Sequence, residues 1–447
     1  MRFMITTLGC KVNQYESDAI AQDLKKDGWR EVTDGPATVA IINTCTVTGK
    51  GSMQSRQAIR KVIRNNPGAC IAVIGCYAQT EADEIKKIDG VHFVIGHGDK
   101  YRLKDILLNA DQSFPKSAVS VCNDILKEKE FAMLPVVAHG KKRSRPFLKI
   151  QDGCSAFCSY CIVPYARGPS RSMEPAQVIE HLAALSSKGF KEVVVSGIHL
   201  GCYGLDLSNK TNLYELLCKI EDRQPIERIR LSSIEPDELS DEIIDLVAES
   251  DMFCPHFHIP LQSGDDMILD RMKRSYTSEF FIERVNRIHE KMPDAAIGAD
   301  TLIGFPGESE EAFLNTFQTV KKLPLSYLHV FPFSPRENTP ASKFSNKIPQ
   351  DVIKARCRTI RDLSMEKRLD FYKSFLNKFV DILVLGESGG ESEKKSASVG
   401  YLKGISSSYL PVLIPYKPGL KNSIVRVQIE KINGLKIFGN FYSKESQ

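Results

Sequence analysis

A chain of 447 residues with 42% hydrophobic and 26% charged side chains holds about three domains of ordinary size, and its composition excludes a disordered or fibrous protein. No apolar run reaches the roughly 18 residues of a membrane helix. The opening Met1-Arg2-Phe3-Met4-Ile5 is too short an apolar stretch for a secretory signal, so a cytoplasmic protein without membrane attachment is expected, its 12 cysteines reduced or metal-bound. The net charge of +5 lies in residues 371–447, where eleven basic side chains face six acidic ones. A basic terminal module suits a polyanionic partner, and solubility alone accounts for so small an excess equally well.

Three short apolar runs open the chain and each stops at a cysteine: residues 3–9 before Cys10, 38–44 before Cys45 and 69–75 before Cys76. Runs of this kind, β-branched and without alternation, read as buried parallel strands. Helical patterns over 16–27 and 52–64 separate them, giving an open parallel α/β sheet. Ligands of such sheets bind beyond the carboxyl ends of the strands, so Cys10, Cys45 and Cys76 are expected on one edge as a three-thiolate site. The alternative is three ordinary buried cysteines, which Cys70, inside a strand, resembles more closely.

Residues 100–108 read as a helix. The run Lys141-Lys142-Arg143-Ser144-Arg145-Pro146 reads as a basic linker, solvated or touching phosphates.

From 146 to about 335, six strand-like runs alternate with helical ones: 147–150, 193–195, 229–231, 257–259, 297–303 and 327–331. They predict a partial (β/α)6 TIM-like barrel with its site at the strands' carboxyl ends. The loop after the first strand is Gly153-Cys154-Ser155-Ala156-Phe157-Cys158-Ser159-Tyr160-Cys161, spaced C-x3-C-x2-C with no fourth cysteine nearby. Structural zinc normally takes four protein ligands. Three thiolates suit a cubane iron–sulfur cluster with one iron left open. On the same rim, Gly197 suits either a backbone contact to a cofactor or a plain turn. Glu235, after Ser232-Ser233, is either an acceptor for ribose hydroxyls or a solvated carboxylate. Asp300, within an apolar strand, needs a partner if buried. Arg167 and Arg171 are candidates for holding a carboxylate or phosphate. His199, His256 and His258 lack metal-ligand spacing.

After a helix over 351–374, five short strand candidates at 380–385, 398–401, 409–414, 424–429 and 437–440 predict a small OB-like β-barrel.

The cysteine loop, with Tyr160 before its last cysteine, resembles the radical S-adenosylmethionine (SAM) superfamily. Nearly the whole chain resembles the methylthiotransferase family within it. The matching stretches are Thr7-Leu8-Gly9-Cys10, Asn43-Thr44-Cys45-Thr46-Val47-Thr48, Gly75-Cys76-Tyr77-Ala78-Gln79, Leu261-Gln262-Ser263-Gly264, Gly304-Phe305-Pro306-Gly307-Glu308 and Phe331-Pro332-Phe333-Ser334-Pro335-Arg336-Glu337. The resemblance divides the chain into an N-terminal methylthiotransferase domain over 1–135, a radical SAM domain over 140–370 and an RNA-binding TRAM domain over 371–442. The stretch Cys10-Lys11-Val12-Asn13-Gln14-Tyr15-Glu16-Ser17 is most like the branch that modifies N6-threonylcarbamoyladenosine beside the tRNA anticodon. Sibling branches, with Gln-Met-Asn or Pro-Lys-Asn after that cysteine, act on isopentenyl-adenosine or on a ribosomal-protein aspartate.

The resemblance implies two 4Fe-4S clusters and SAM. Cys154, Cys158 and Cys161 would hold the cluster at which one SAM yields a 5′-deoxyadenosyl radical, and that radical takes hydrogen from carbon 2 of the adenine. Cys10, Cys45 and Cys76 would hold the cluster whose sulfur is methylated by a second SAM and delivered to that carbon. No catalytic residue beyond these cysteines is implied; Tyr160, Gly197, Ser233, Glu235 and Asp300 are the candidate SAM contacts. The implied partners are a tRNA anticodon stem-loop, an electron donor and a sulfur donor. The remaining alternatives are the sibling methylthiotransferases and a non-catalytic RNA-binding iron–sulfur protein.

Overall fold

The structure, a computed structural model, describes residues 1–33, 35–108, 115, 117–135, 144–387 and 400–441. The basic residues Lys141-Lys142-Arg143 and the strand candidates Ser398-Val399 lie outside them.

The chain begins with strands β1 (Arg2–Thr7), β2 (Arg30–Glu31), β3 (Val39–Thr44), β4 (Cys70–Gly75), β5 (Phe93–Ile95) and β6 (Val119–Val121). All pair in parallel, in the order β2-β1-β3-β4-β5-β6. The unbroken apolar runs follow from burial on both faces: Ile41, Ala72 and Ile74 join one core, while Ala40, Ile42 and Val73 join the other. Three helices start at or just after the strand-end cysteines: α1 (Lys11–Lys26), α2 (Gly49–Asn65) and α3 (Cys76–Thr80). Helix α1 begins five residues before its expected start. No serine, threonine or aspartate caps it. Asn13 organises the first turn instead, its amide donating to the carbonyls of Leu8 (2.8 Å) and Thr44 (3.0 Å).

The second body contains β7 (Phe147–Lys149), a short antiparallel pair β8 (Gln151–Asp152) and β9 (Arg171–Ser172), then β10 (Glu192–Ser196), β11 (Arg228–Leu231), β12 (His256–Gln262), β13 (Ala296–Ile303) and β14 (Tyr327–Pro332). The six expected barrel strands are present, all parallel, as two three-stranded sheets, β11-β10-β7 and β12-β13-β14. One bridge, Ile229 to Phe253, joins the halves. Pro255, at the entrance to β12, has no N–H with which to extend that ladder. The β8–β9 pair clamps the base of the cysteine loop. There a Cβ on Gly153, at φ +73°, would lie 1.9 Å from the Pro169 carbonyl oxygen, so the loop closes only around glycine.

A helix over Gln350–Lys373 leads to β15 (Phe379–Glu387), β16 (Tyr401–Ser406), β17 (Pro411–Pro415), β18 (Ile424–Asn433) and β19 (Lys436–Phe441). They form a closed barrel, β15-β16-β17-β19-β18, in which only β17 and β19 run parallel. The expected second strand sits a few residues later in the chain than residues 398–401. Among the described residues, no helix is long and apolar enough to cross a membrane.

The bodies are not independent. Tyr15 and Ala19 of α1 belong to the hydrophobic core of the second body. Arg230 of β11 donates to the carbonyls of Ser406 (2.9 Å) and Ser407 (2.8 Å) on the small barrel.

Candidate active site

The first cysteine trio sits where the sheet was expected to place it. Cys10 caps α1, Cys45 follows β3 and Cys76 opens α3. Gly75 turns the chain into Cys76 at φ +94°, and a Cβ there would lie 2.3 Å from Asn43 Oδ1. Burial pushes the Cys76 thiol up to about 11, against the pull of Arg167, and raises that of Cys45.

The second trio lies on the loop after β8. Cys154 Sγ is 3.3 Å from His199 Nδ1, and His199 Nε2 is 2.8 Å from Glu238. Arg274 donates to Cys158 Sγ at 3.3 Å and is ion-paired with Glu235. Glu235, read as either a ribose acceptor or a solvated carboxylate, is engaged by a guanidinium that also touches a cysteine sulfur. Tyr160 packs edge-on against Phe305, centroids 6.5 Å apart. Burial pushes the Cys161 thiol up to about 12.

Each trio offers three thiols, the donor set of a cubane cluster with one iron left open, and burial of Cys76 leaves its thiol in need of the positive charge such a group would supply.

A cavity of about 580 Å³ joins the bodies. Cys10, Cys45 and Cys76 line it from the sheet; Gly197, Ser232, Ser233 and Asp300 line it from the barrel; Tyr409 lines it from the small barrel. Ile162 and Val163, directly after Cys161, form part of the same wall. Gly197 is held against Gln151, whose Oε1 accepts from the next two amides, Ile198 (2.9 Å) and His199 (2.8 Å). A Cβ on Gly197 would meet that oxygen at 2.8 Å.

Asp300 has the partners its position demanded. His258 Nε2 lies 2.9 Å and His329 Nδ1 3.2 Å from its carboxylate. Burial would raise its pKa, but the two histidine hydrogen bonds hold it well below the usual carboxylate range. Tyr327 Oη bridges His258 (3.2 Å) and His256 (2.9 Å), so a polar chain runs along this wall. Sequence spacing concealed it because its members come from adjacent strands β12, β13 and β14.

Arg167 has a different role from the one expected. Its guanidinium is buried and donates to Glu16 (3.1 Å), Asp152 (2.8 Å) and Asn13 (2.6 Å), tying α1 to the cysteine loop. Arg171 donates to the Arg167 carbonyl at 2.7 Å. Lys100 and Lys149 complete this network, 2.7 and 3.2 Å from Glu16.

Sheet, barrel and cysteine loop together define a radical SAM protein with an added cysteine-bearing α/β sheet. The Radical SAM superfamily matches residues 148–320, and Uncharacterized protein family UPF0004 matches residues 2–96. Threonylcarbamoyladenosine tRNA methylthiotransferase MtaB of Bacillus subtilis (strain 168) is 39% identical over 95% of this chain and 93% of its own length. The protein of the same name from Aquifex aeolicus (strain VF5) is 40% identical over 87% of this chain and 94% of its own length. The chain belongs to the radical SAM methylthiotransferase family. Its cofactors are SAM and 4Fe-4S clusters. A tRNA-2-methylthio-N(6)-dimethylallyladenosine synthase from Clostridium tetani (strain Massachusetts / E88) is 34% identical, with 88% of this chain and 87% of that protein covered. In fold alone, the chain is similar to the radical S-adenosylmethionine methyltransferase TsrM from Kitasatospora setae, with a TM-score of 0.56 at 16% identity over 76% of this chain and 77% of that one.

Proposed function

We propose that this chain is a tRNA modification enzyme that places a methylthio group on carbon 2 of N6-threonylcarbamoyladenosine beside the anticodon. The observation that carries the reading is the cavity between sheet and barrel. The strand-end trio Cys10, Cys45 and Cys76 opens onto the space bounded by the turn after Cys161, and that space has room for a nucleoside. In this reading Cys10, Cys45 and Cys76 hold one cluster and Cys154, Cys158 and Cys161 the other. When bound, the clusters and SAM supply radical generation, the sulfur and its methyl group.

The chain's own residues position the reactants. Gly197, Ser233 and Asp300 offer contacts to SAM or the target nucleoside along the barrel rim, with Tyr160 and Glu235 beside the second trio. Residues 1–135, 140–370 and 371–442 act as sulfur-delivering, radical-generating and RNA-gripping modules. The last resembles OB-type barrels that hold nucleic acid, and its basic excess suits the anticodon stem-loop. An electron donor and a sulfur donor complete the cycle, and a tRNA substrate places the reaction in the cytoplasm.

The test is nucleoside mass spectrometry of bulk tRNA from cells with and without the gene. Loss of 2-methylthio-N6-threonylcarbamoyladenosine, with its unmethylthiolated precursor accumulating, is expected. Loss of the isopentenyl derivative instead would move the chain to the sibling tRNA branch. No change in any nucleoside would leave a protein substrate or an inert binder.

A further inference from the structure

Charged side chains are unevenly placed in and around the cavity. At its Asp300 end, the carboxylate is held by two histidines. Behind Tyr409, outside the cavity lining, Glu192 is the carboxylate shared by Arg145 (3.2 Å), Arg228 (3.6 Å) and Arg230 (3.0 Å). The Tyr409 ring lies beneath Arg230 and Arg145, 5.1 and 5.9 Å from their guanidinium carbons. Lys11, the residue after Cys10, is exposed and lines the cavity itself. Its ammonium lies 5.9 Å from the centre of the Phe147 ring, and among the described residues no ion pair of Lys11 with a carboxylate occurs. An exposed ammonium in the cavity wall with no carboxylate partner is free to pair with an anion that arrives with the ligand.

We propose that Lys11 reads the carboxylate carried by the N6 side chain of the substrate adenosine. This rests on the substrate reading above: a threonylcarbamoyl group bears a carboxylate and a dimethylallyl group bears none. The lysine sits one residue from a cysteine of the strand-end trio, so an anion held there would keep the N6 substituent, and with it the adenine, close to that trio.

The test uses cluster-loaded, full-length protein under anaerobic conditions and two anticodon hairpins, one with N6-threonylcarbamoyladenosine and one with plain adenosine at the same position. Binding is followed by fluorescence anisotropy. The wild type is expected to prefer the modified hairpin by about tenfold, the scale of one charge-assisted contact. Lys11→Met and Lys11→Gln are expected to erase that preference while binding the plain hairpin within about twofold of wild type, and Lys11→Arg to retain most of it. A preference that survives in the neutral variants overturns the assignment of Lys11 and leaves the nucleoside result untouched. A wild type with no preference overturns it as well. Loss of iron from both neutral variants, with Lys11→Arg fully loaded, overturns it by making Lys11 a cluster-assembly residue.

Discussion

Arg167, six residues past the second cysteine trio, and Glu16, six residues past Cys10, form an ion pair at 3.1 Å with both side chains no more than 2% exposed. The pair ties helix α1, which follows Cys10, to the loop that carries the second cysteine trio. Asp152 shares the guanidinium at 2.8 Å, and Lys100 and Lys149 crowd the same two carboxylates. Removing the guanidinium leaves buried charge without compensation. Arg167→Ala is expected to destabilise the protein by about 3–5 kcal/mol, and Arg167→Lys, which keeps the charge but loses the fork, by less. Urea unfolding checks this. Unchanged midpoints in both variants would mean that the pair does not couple the bodies.

Acid should loosen the same junction in two stages. Burial, aided by Lys100 and Arg167, pushes His97 from its ordinary 6.5 down to about 3. Below about pH 6.5 the unfolded chain binds a proton at this site that the folded chain refuses, so stability is lost as pH falls. The loss from this residue reaches up to about 2 kcal/mol by about pH 5. Burial would raise the carboxyl pKa values of Glu16 and Asp152, but Arg167, Lys100 and Lys149 hold them well below their ordinary values of 4.5 and 3.8. Their contribution is present above those values and disappears as pH drops further. Melting temperatures at about pH 7 and pH 5 test the first stage. His97→Gln should flatten the difference, and an equal drop in the variant would assign the effect elsewhere.

Two separate cluster sites should fail separately. Anaerobically reconstituted wild type is expected to hold about eight irons per chain, and Cys10→Ser or Cys154→Ser about four. In the Cys154→Ser protein SAM cleavage should vanish while the strand-end site stays loaded. About four irons in the wild type would remove the sulfur-delivering role of the N-terminal sheet.

Backbone shape at Gly75 aims Cys76. At φ +94° with a Cβ position 2.7 Å from the Thr44 carbonyl oxygen, alanine fits only if the strand end moves. Gly75→Ala should cost more than about 1 kcal/mol and lower iron loading at the strand-end site alone. Full loading with unchanged stability would show that the turn tolerates a side chain.

The strand-end cysteines and the cysteine loop were legible because local chemistry writes them: apolar runs with no alternation, each stopped by a cysteine, and three thiols on one loop. The need of Asp300 for a partner was equally plain, since an aspartate in an apolar strand cannot stay alone. Its partners were not legible, because His258 and His329 come from neighbouring strands whose register only the fold sets. Glu16 and Arg167 lie 151 residues apart and share no periodic pattern, so the junction between bodies left no trace in the sequence. In the small barrel, Gly404 hid its strand. A Cβ there would lie 2.5 Å from Ile382, and the glycine that permits this close crossing interrupts the apolar pattern.

The most direct measurement of the central claim is product analysis with the purified, doubly loaded enzyme, SAM, a strong reductant and an anticodon hairpin carrying N6-threonylcarbamoyladenosine. The expected result is conversion of that nucleoside to its 2-methylthio derivative, with no product from an isopentenyl-adenosine hairpin treated alongside. Methylthiolation of the isopentenyl hairpin alone, or SAM cleavage without any modified nucleoside from a fully loaded enzyme, would contradict it.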